Sequence, residues 1–269
     1  MNDFPDNLAL VQIHVGDGYA TTWGWNRFDF YVPGTQYTPT AIWDGMIEHV
    51  GSYSNVTQQY NYYRDNGLFA RMESETDVTI DMVGEQVSGS TWDITATVCI
   101  EPGGTSKTVR LYMVQVLDNY PSTPSYSRNC FRLAASTADL VLSAGECAEV
   151  TRTFTFGAVD WSNQDDIKII AWAQDPIAPA PTGTAEVHQA AVMGWPFPAP
   201  PGECGDLDSD GDVDLGDFAT FAVCYYGSAV TIPPPGCSPD EFADADCDGD
   251  GDVDLGDFAT FALNYTGAQ

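Results

Sequence analysis

The sequence predicts a multidomain chain: a partial α/β segment over 1–72, an all-β sandwich over 73–198, a Pro-rich linker at 199–203 and a small α domain over 204–269. Three observations predict it. The first 72 residues read strand, helix, strand, helix. From about residue 76 to 197 the pattern changes to short period-two runs rich in β-branched residues, parted by Gly, Pro, Ser and Asn. Near the end a block is duplicated at an offset of forty residues, GDVDLGDFATFA standing at Gly211–Ala222 and again at Gly251–Ala262.

In chain order, Leu8–Val15 (LALVQIHV) is an apolar run short enough for a buried strand. Thr21–Tyr31 reads as a short helix, and Pro33-Gly34 as a turn. Thr38–Gly45 (TPTAIWDG) is a strand entered through an X-Pro bond and left by an Asp-Gly turn. Tyr60–Arg71 closes the segment as a helix. This order, with Thr-Pro-Thr ahead of the second strand, resembles the C-terminal half of a thioredoxin-like fold over residues 7–71. The resemblance implies that Pro39 is cis. It also implies that the first strand and the Cys-x-x-Cys helix lie before residue 1. Dithiol redox chemistry needs a low-pKa thiolate at that helix N-terminus, and no Cys-x-x-Cys occurs in the chain. The segment is therefore expected to be redox-inactive as it stands, and with its sheet edges uncovered it is expected to be the least stable region.

The all-β region has six candidate strands: Asp77–Val83, Trp92–Ile100, Thr108–Val116, Glu149–Phe156, Ile167–Ala173 and Ala185–Met193. Six or seven short antiparallel strands over some 120 residues resemble an immunoglobulin-like or fibronectin-like sandwich. Trp92, Trp161 and Trp172 are expected in its core. Ile177–Thr184 is a loop before the last strand, and Pro196–Gly202 is an extended linker.

The duplicated block carries the chemistry. In the first copy Asp206, Asp208, Asp210, Asp214 and Asp217 occupy positions 1, 3, 5, 9 and 12 of a twelve-residue loop. Gly211 stands at position 6, where the chain must turn sharply, and Asp212 at position 7 offers its backbone carbonyl. The second copy repeats this with Asp246, Asp248, Asp250, Gly251, Asp252, Asp254 and Asp257. This is the spacing of an EF-hand calcium loop. Calcium wants six to eight oxygens, and alternate residues of a tightly wound loop aim theirs at one centre. Five crowded carboxylates repel one another without a cation, so two calcium ions are expected to bind as the domain folds. A merely solvated acidic run would not place Gly at position 6 and Val at position 8 twice.

Each loop is followed by an apolar helix stripe, Phe218, Phe221, Ala222 and Tyr225 in the first and Phe258, Phe261, Ala262 and Tyr265 in the second, with Gly227 and Gly267 placed to cap the ends. The Pro-rich run before Cys204 cannot be an entering helix. Ser238-Pro-Asp-Glu241 reads as a capping box opening a short helix before the second loop. Two loop-plus-exit-helix units joined by a Pro-rich linker resemble a type I dockerin, and Cys204–Gln269 is similar to that family throughout. The resemblance implies a cohesin-like or other surface or scaffold protein as partner, within a polysaccharide-degrading system. In the family, loop positions 10 and 11 and the helix after them present hydroxyl and basic residues to the partner. Here Leu215-Gly216 and Leu255-Gly256 stand there, and no Lys or Arg follows residue 202.

Composition sets the limits. A hydrophobic content of 43% allows real cores, and the net charge of −30 opposes nucleic acid and anionic membranes. Residues 203–269 hold sixteen of the 39 acids and no base. Seven cysteines without zinc spacing, beside calcium loops, point to an exported protein with disulfides. Cys224–Cys237 would staple the linker between the repeats and Cys204–Cys247 would tie the loop starts, but spacing settles neither. Cys99, inside a strand pattern, is either paired or a buried thiol. An odd count leaves one thiol over. No apolar run is long enough to span a membrane. The N-terminus lacks the pattern of a signal peptide, which suggests that the natural start lies upstream. The expected function is therefore that of a non-catalytic, secreted or surface-attached modular protein. The alternatives are an oxidoreductase whose Cys-x-x-Cys part lies outside this chain, and a sandwich that binds a glycan or peptide.

Overall fold

The computed structural model describes residues 8–34, 36–72, 74–122, 128–176, 184–198, 205–208, 213–247 and 249–265. The chain separates into two compact units, Met1–Pro198 and Ala199–Gln269. The linker expected at 199–203 and most of the loop expected at 177–184 lie outside the described residues.

The first unit is mostly β. Three strands, β3 (Val78–Ser88), β4 (Thr91–Ile100) and β8 (Cys147–Thr155), form one antiparallel sheet in the order β3-β4-β8. The second sheet has five strands: β5 (Lys107–Leu117), β6 (Cys130–Ala134), β7 (Ala138–Leu142), β9 (Ile167–Gln174) and β10 (Val187–Gly194). Their order is β10-β9-β5-β6, and β7 also pairs with β5. Strand β4 alternates cleanly, with Ile94, Ala96, Val98 and Ile100 buried between the sheets. Its outward Cys99 is disulfide-bonded to Cys147, directly opposite in register. Trp172 is buried, and Trp92 and Trp161 pack against the inter-sheet core.

Sequence patterning overlooks β6 and β7, which are only five residues each, with a single charged residue apiece, Arg132 and Asp139, too short a run to establish a period of two. In contrast, the long apolar runs of β5 and β9 have a definite cause. Both strands are buried on both faces, as a strand must be when each side of its sheet is covered. The second cover comes from the N-terminal segment.

Residues 8–15 do not form the expected strand. They make a single parallel bridge, Gln12 to Cys130, in which Phe131 N–H donates to Gln12 O at 2.9 Å and Gln12 N–H to Asn129 O at 3.0 Å. Their alternate residues Ala9, Val11 and Ile13 pack onto the outer face of the five-stranded sheet, against Tyr112, Val114, Val116, Phe131, Ile170 and Trp172. The apolar periodicity therefore reports contact with a sheet face rather than membership of a ladder. The helix α1 (Thr22–Tyr31), N-capped by the Thr21 hydroxyl, adds Trp23, stacked on Phe131 at 4.4 Å. It also adds Arg27, whose buried guanidinium lies over Tyr31 and Tyr112 and donates to Gln174 Oε1 at 2.8 Å. The outer apolar face of the five-stranded sheet is thus covered.

Beyond α1, the Thr38–Pro39 bond is cis. The strands β1 (Thr40–Trp43) and β2 (Ile47–Val50) form an antiparallel hairpin closed by Asp44 and Gly45. The closing helix starts earlier than the apolar pattern shows because Asn55 caps it, accepting from Gln58 N–H at 3.1 Å. It runs through α2 (Val56–Tyr63), a π-helical turn at Arg64–Leu68 and α3 (Phe69–Met72), and the short α4 (Ala158–Trp161) leads towards β9. Among the described residues no helix is long and apolar enough to cross a membrane.

The second unit contains α5 (Leu215–Cys224), α6 (Pro239–Ala245) and α7 (Leu255–Asn264). Helix α6 opens with the Ser238/Glu241 capping box read from the sequence. Phe221 and Phe261, with ring centroids 5.3 Å apart, centre a core that takes in Val213 and Val253 from position 8 of each loop, together with Phe242 and Ala245. The disulfide Cys224–Cys237 staples the segment between the repeats. Cys247 is also disulfide-bonded, and Cys204 lies outside the described residues. The caps differ from expectation. Helix α5 ends at Cys224, and Gly227 N–H donates across to Val253 O at 3.1 Å instead of closing the helix. Gly267 lies outside the described residues.

Candidate metal centre

Both acidic loops are anchored by the helix that follows. The i, i+3 pair at positions 9 and 12 forms a capping box. Asp214 accepts from Gly216 N–H at 2.5 Å, and Asp217 Oδ2 accepts from Asp214 N–H at 2.7 Å. Asp217 Oδ1 reaches back to Leu207 N–H at 2.6 Å and Asp208 N–H at 3.1 Å, drawing the loop start onto the helix. The second copy matches. Asp254 accepts from Gly256 N–H at 2.7 Å, and Asp257 accepts from Asp254 N–H and Cys247 N–H, each at 2.6 Å. Asp217 and Asp257 are fully buried. Burial alone would raise the pKa of Asp217, but the backbone amides of Asp214, Asp208 and Leu207 outweigh it and hold the carboxyl below its ordinary value.

Two groups of carboxylates come together. Asp206, Asp208 and Asp217 each place an oxygen within 4.8 Å of the others, and so do Asp252, Asp254 and Asp257. Oxygens on opposite sides of one calcium ion, with bonds of about 2.4 Å, lie about 4.8 Å apart. Each group therefore fits a single such ion. The remaining candidates separate into two sets. Asp214, Asp246 and Asp250 stand outside these groups, whereas Asp210, Asp212 and Asp248, with Gly211, lie outside the described residues.

Two glycines shape the loops. Gly251, at position 6, has φ +91°, in the left-handed region that disfavours a side chain. Gly216, at position 11, packs so closely that a Cβ there would meet Asp208 Oδ2 at 2.8 Å. The residue that departs from the family pattern thus makes room for a candidate ligand.

At position 7 the loop pattern predicts that Asp252 offers its backbone carbonyl, yet its side chain is the one brought into the second group. It is 5% exposed, its Oδ2 accepts from Ala229 N–H, and its Oδ1 is buried without a partner among the described residues. The sequence gives no sign of this, because position 7 is the loop position whose carbonyl is ordinarily used.

Elsewhere, chemistry-bearing side chains are scattered. His14 pairs with Asp17 at 2.7 Å, His188 with Asp175 at 2.9 Å, and His49 lies beside Trp43 and Tyr63. Cys130, the free cysteine among the described residues, is buried, and desolvation pushes its thiol up to about 11 despite the opposing charge of Arg132. That is the wrong direction for a thiolate nucleophile.

The chain matches no family model, and no curated protein matches it. Among solved structures it is similar to HBP35 of Porphyromonas gingivalis, with a TM-score of 0.52 and 13% identity over 71% of this chain. The match spans 64% of that protein. A domain of the outer membrane lipoprotein Omp28 from the same organism aligns at TM-score 0.34 and 13% identity, over 47% of this chain and 93% of that one. A β-glucosidase of Erythrobacter marinus aligns at TM-score 0.25 and 14% identity, over 44% and 15%. At these identities only the HBP35 likeness bears on the chain, and it bears on fold alone.

Proposed function

We propose that residues 204–269 form a calcium-binding attachment domain of the dockerin type I kind, and that the chain is a non-catalytic extracellular or cell-surface protein. One observation carries the reading: each copy of the duplicated sequence gathers a trio of carboxylate oxygens compact enough for a single ion, at loop positions 1, 3 and 12 in the first and 7, 9 and 12 in the second. The first ion would be held through Asp206, Asp208 and Asp217, the second through Asp252, Asp254 and Asp257. When bound, calcium would offset most of the charge of each cluster and cross-link the loop to its exit helix. The chain's own residues supply the rest. The Asp217 and Asp257 carboxylates order the loop amides, and Val213 and Val253 fasten the loops to the phenylalanine core.

The partner would be a cohesin-like protein or another scaffold or surface protein. Leu215 and Leu255, 71% and 68% exposed at position 10 of each loop, are the side chains it would meet. They are apolar, so the complementary surface is expected to be apolar rather than carboxylate-rich. A place in a polysaccharide-degrading system follows from the dockerin resemblance.

Isothermal titration of the EDTA-stripped full chain with calcium tests this. Uptake of two equivalents is expected, and magnesium should compete poorly because it demands a smaller octahedral shell. No calcium uptake would overturn the reading.

A further inference from the structure

We propose that in the second loop the side chain of Asp252, rather than its backbone carbonyl, takes part in holding the cation with Asp254 and Asp257. Through Ala229 this would tie cation loading to the order of the segment between the repeats. The inference rests on the calcium reading above and goes beyond it, because it assigns a ligand at a position where the loop pattern calls for a main-chain oxygen.

Asp246 uses both oxygens on the loop's own amides, Oδ1 accepting from Gly249 and Oδ2 from Gly251, each at 2.9 Å. Asp250 Oδ1 accepts from Asp252 N–H at 3.1 Å. Asp252 is different. It is only 5% exposed, and its Oδ1 has no donor among the described residues. A buried carboxylate oxygen without a hydrogen bond is strongly unfavourable unless a cation meets it. It stands in a group whose members lie within 4.8 Å of one another. The orphaned oxygen and the clustering are separate observations that point to the same ligand, a hard divalent cation.

The other oxygen of Asp252 leads to the linker. Oδ2 accepts from Ala229 N–H, while the neighbouring Val253 O accepts from Tyr226 and Gly227 N–H, both at 3.1 Å. The stretch 226–229 therefore hangs on positions 7 and 8 of the second loop. Ala229 itself has φ +65°, unfavourable for a residue with a Cβ, so these anchors are what keep it in place. Without the cation, the repulsion among Asp252, Asp254 and Asp257 would turn Asp252 outward and release that amide. Exposed Tyr226 and Ile232 lie in the same inter-repeat segment, which the Cys224–Cys237 disulfide closes. Calcium at the second loop thus fixes a surface loop and not only its own ligands.

The test is a calcium titration of the EDTA-stripped full chain, followed by calorimetry and by amide NMR, on the wild type, Asp252→Asn and Asp208→Asn. Asparagine keeps an oxygen that can accept from Ala229 but removes the charge, so it separates a cap from a ligand. Asp252→Asn is expected to weaken one of the two binding events by at least about tenfold. The amides of Tyr226, Gly227 and Ala229 should then stay unshifted at calcium concentrations that saturate the wild type. Asp208→Asn should weaken the other event and leave those three amides responding. If Asp252→Asn binds both ions as the wild type does, the assignment is overturned. If Asp252→Asn fails to fold, the wild-type spectra decide alone: amides of 226–229 that do not move with calcium overturn the coupling. A wild type that takes up no calcium refutes the underlying calcium reading instead.

Discussion

Removing calcium should unfold the second unit and leave the first intact, and the size of the effect follows from the geometry. Three carboxylate oxygens within 4.8 Å make three repulsive pairs per loop. At that separation each pair contributes about 1 kcal/mol with water-like screening and about 3.5 kcal/mol at an effective dielectric of about 20. One cation-free cluster is then destabilised by about 3–10 kcal/mol. A unit of 71 residues, 199 to 269, has a total stability of about 4–11 kcal/mol at ordinary values per residue. Even one empty loop brings the unit to the edge, and two take it past. The seven tryptophans all precede residue 196, so their emission reports the first unit alone, and a loss of far-UV helical signal at constant emission is assigned to α5–α7 of the second. EDTA should therefore remove helical signal at unchanged tryptophan emission, and excess calcium should restore it. In EDTA, raising sodium chloride to about 1 M shortens the screening length to about 3 Å and should recover part of the helix. A helical signal and melting temperature indifferent to EDTA would refute the reasoning.

Phe221→Ala should destabilise the second unit by about 3–5 kcal/mol, because Phe221 is 1% exposed at the helix–helix contact; calcium-loaded thermal melts check this, with Phe218→Ala, half-exposed, well below it. Replacing both Cys99 and Cys147 by serine opens a link between residues 48 apart and should lower sandwich stability by about 2–4 kcal/mol in denaturant unfolding read by tryptophan emission. Asp118 is buried, which alone would raise its pKa, but Arg128 and Lys168 hold it well below the usual carboxylate range. Because the folded value is the lower one, its contribution is present above about pH 4 and is lost as pH falls below that. Asp118→Asn should flatten the acid limb of a stability-against-pH curve for the first unit.

The sequence was most legible where local rules and tertiary structure agree. The capping box at Ser238, the Asp-Gly reversal at 44–45 and the strand pattern of β4 are all local signals, and all appear where they are expected. Residues 8–15 misled because period-two apolarity is the same whether a strand joins a sheet or merely lies on its face. Strands β6 and β7 were hidden by their length, five residues with one charged side chain each. Arg27 was invisible as a core residue, since nothing local announces that Tyr112 and Trp172, far along the chain, will enclose its charge. At the candidate site, spacing identified the acids but not their division of labour. The turning of Asp252 inward depends on Ala229, which belongs to the linker and not to the loop pattern.

The most direct measurement is anomalous diffraction from crystals of the full chain grown with calcium or a lanthanide substitute. Two peaks are predicted, one within coordinating distance of the Asp206, Asp208 and Asp217 carboxylates and the other of Asp252, Asp254 and Asp257. Density that lacks both peaks, with the six carboxylates turned to solvent, would contradict the account.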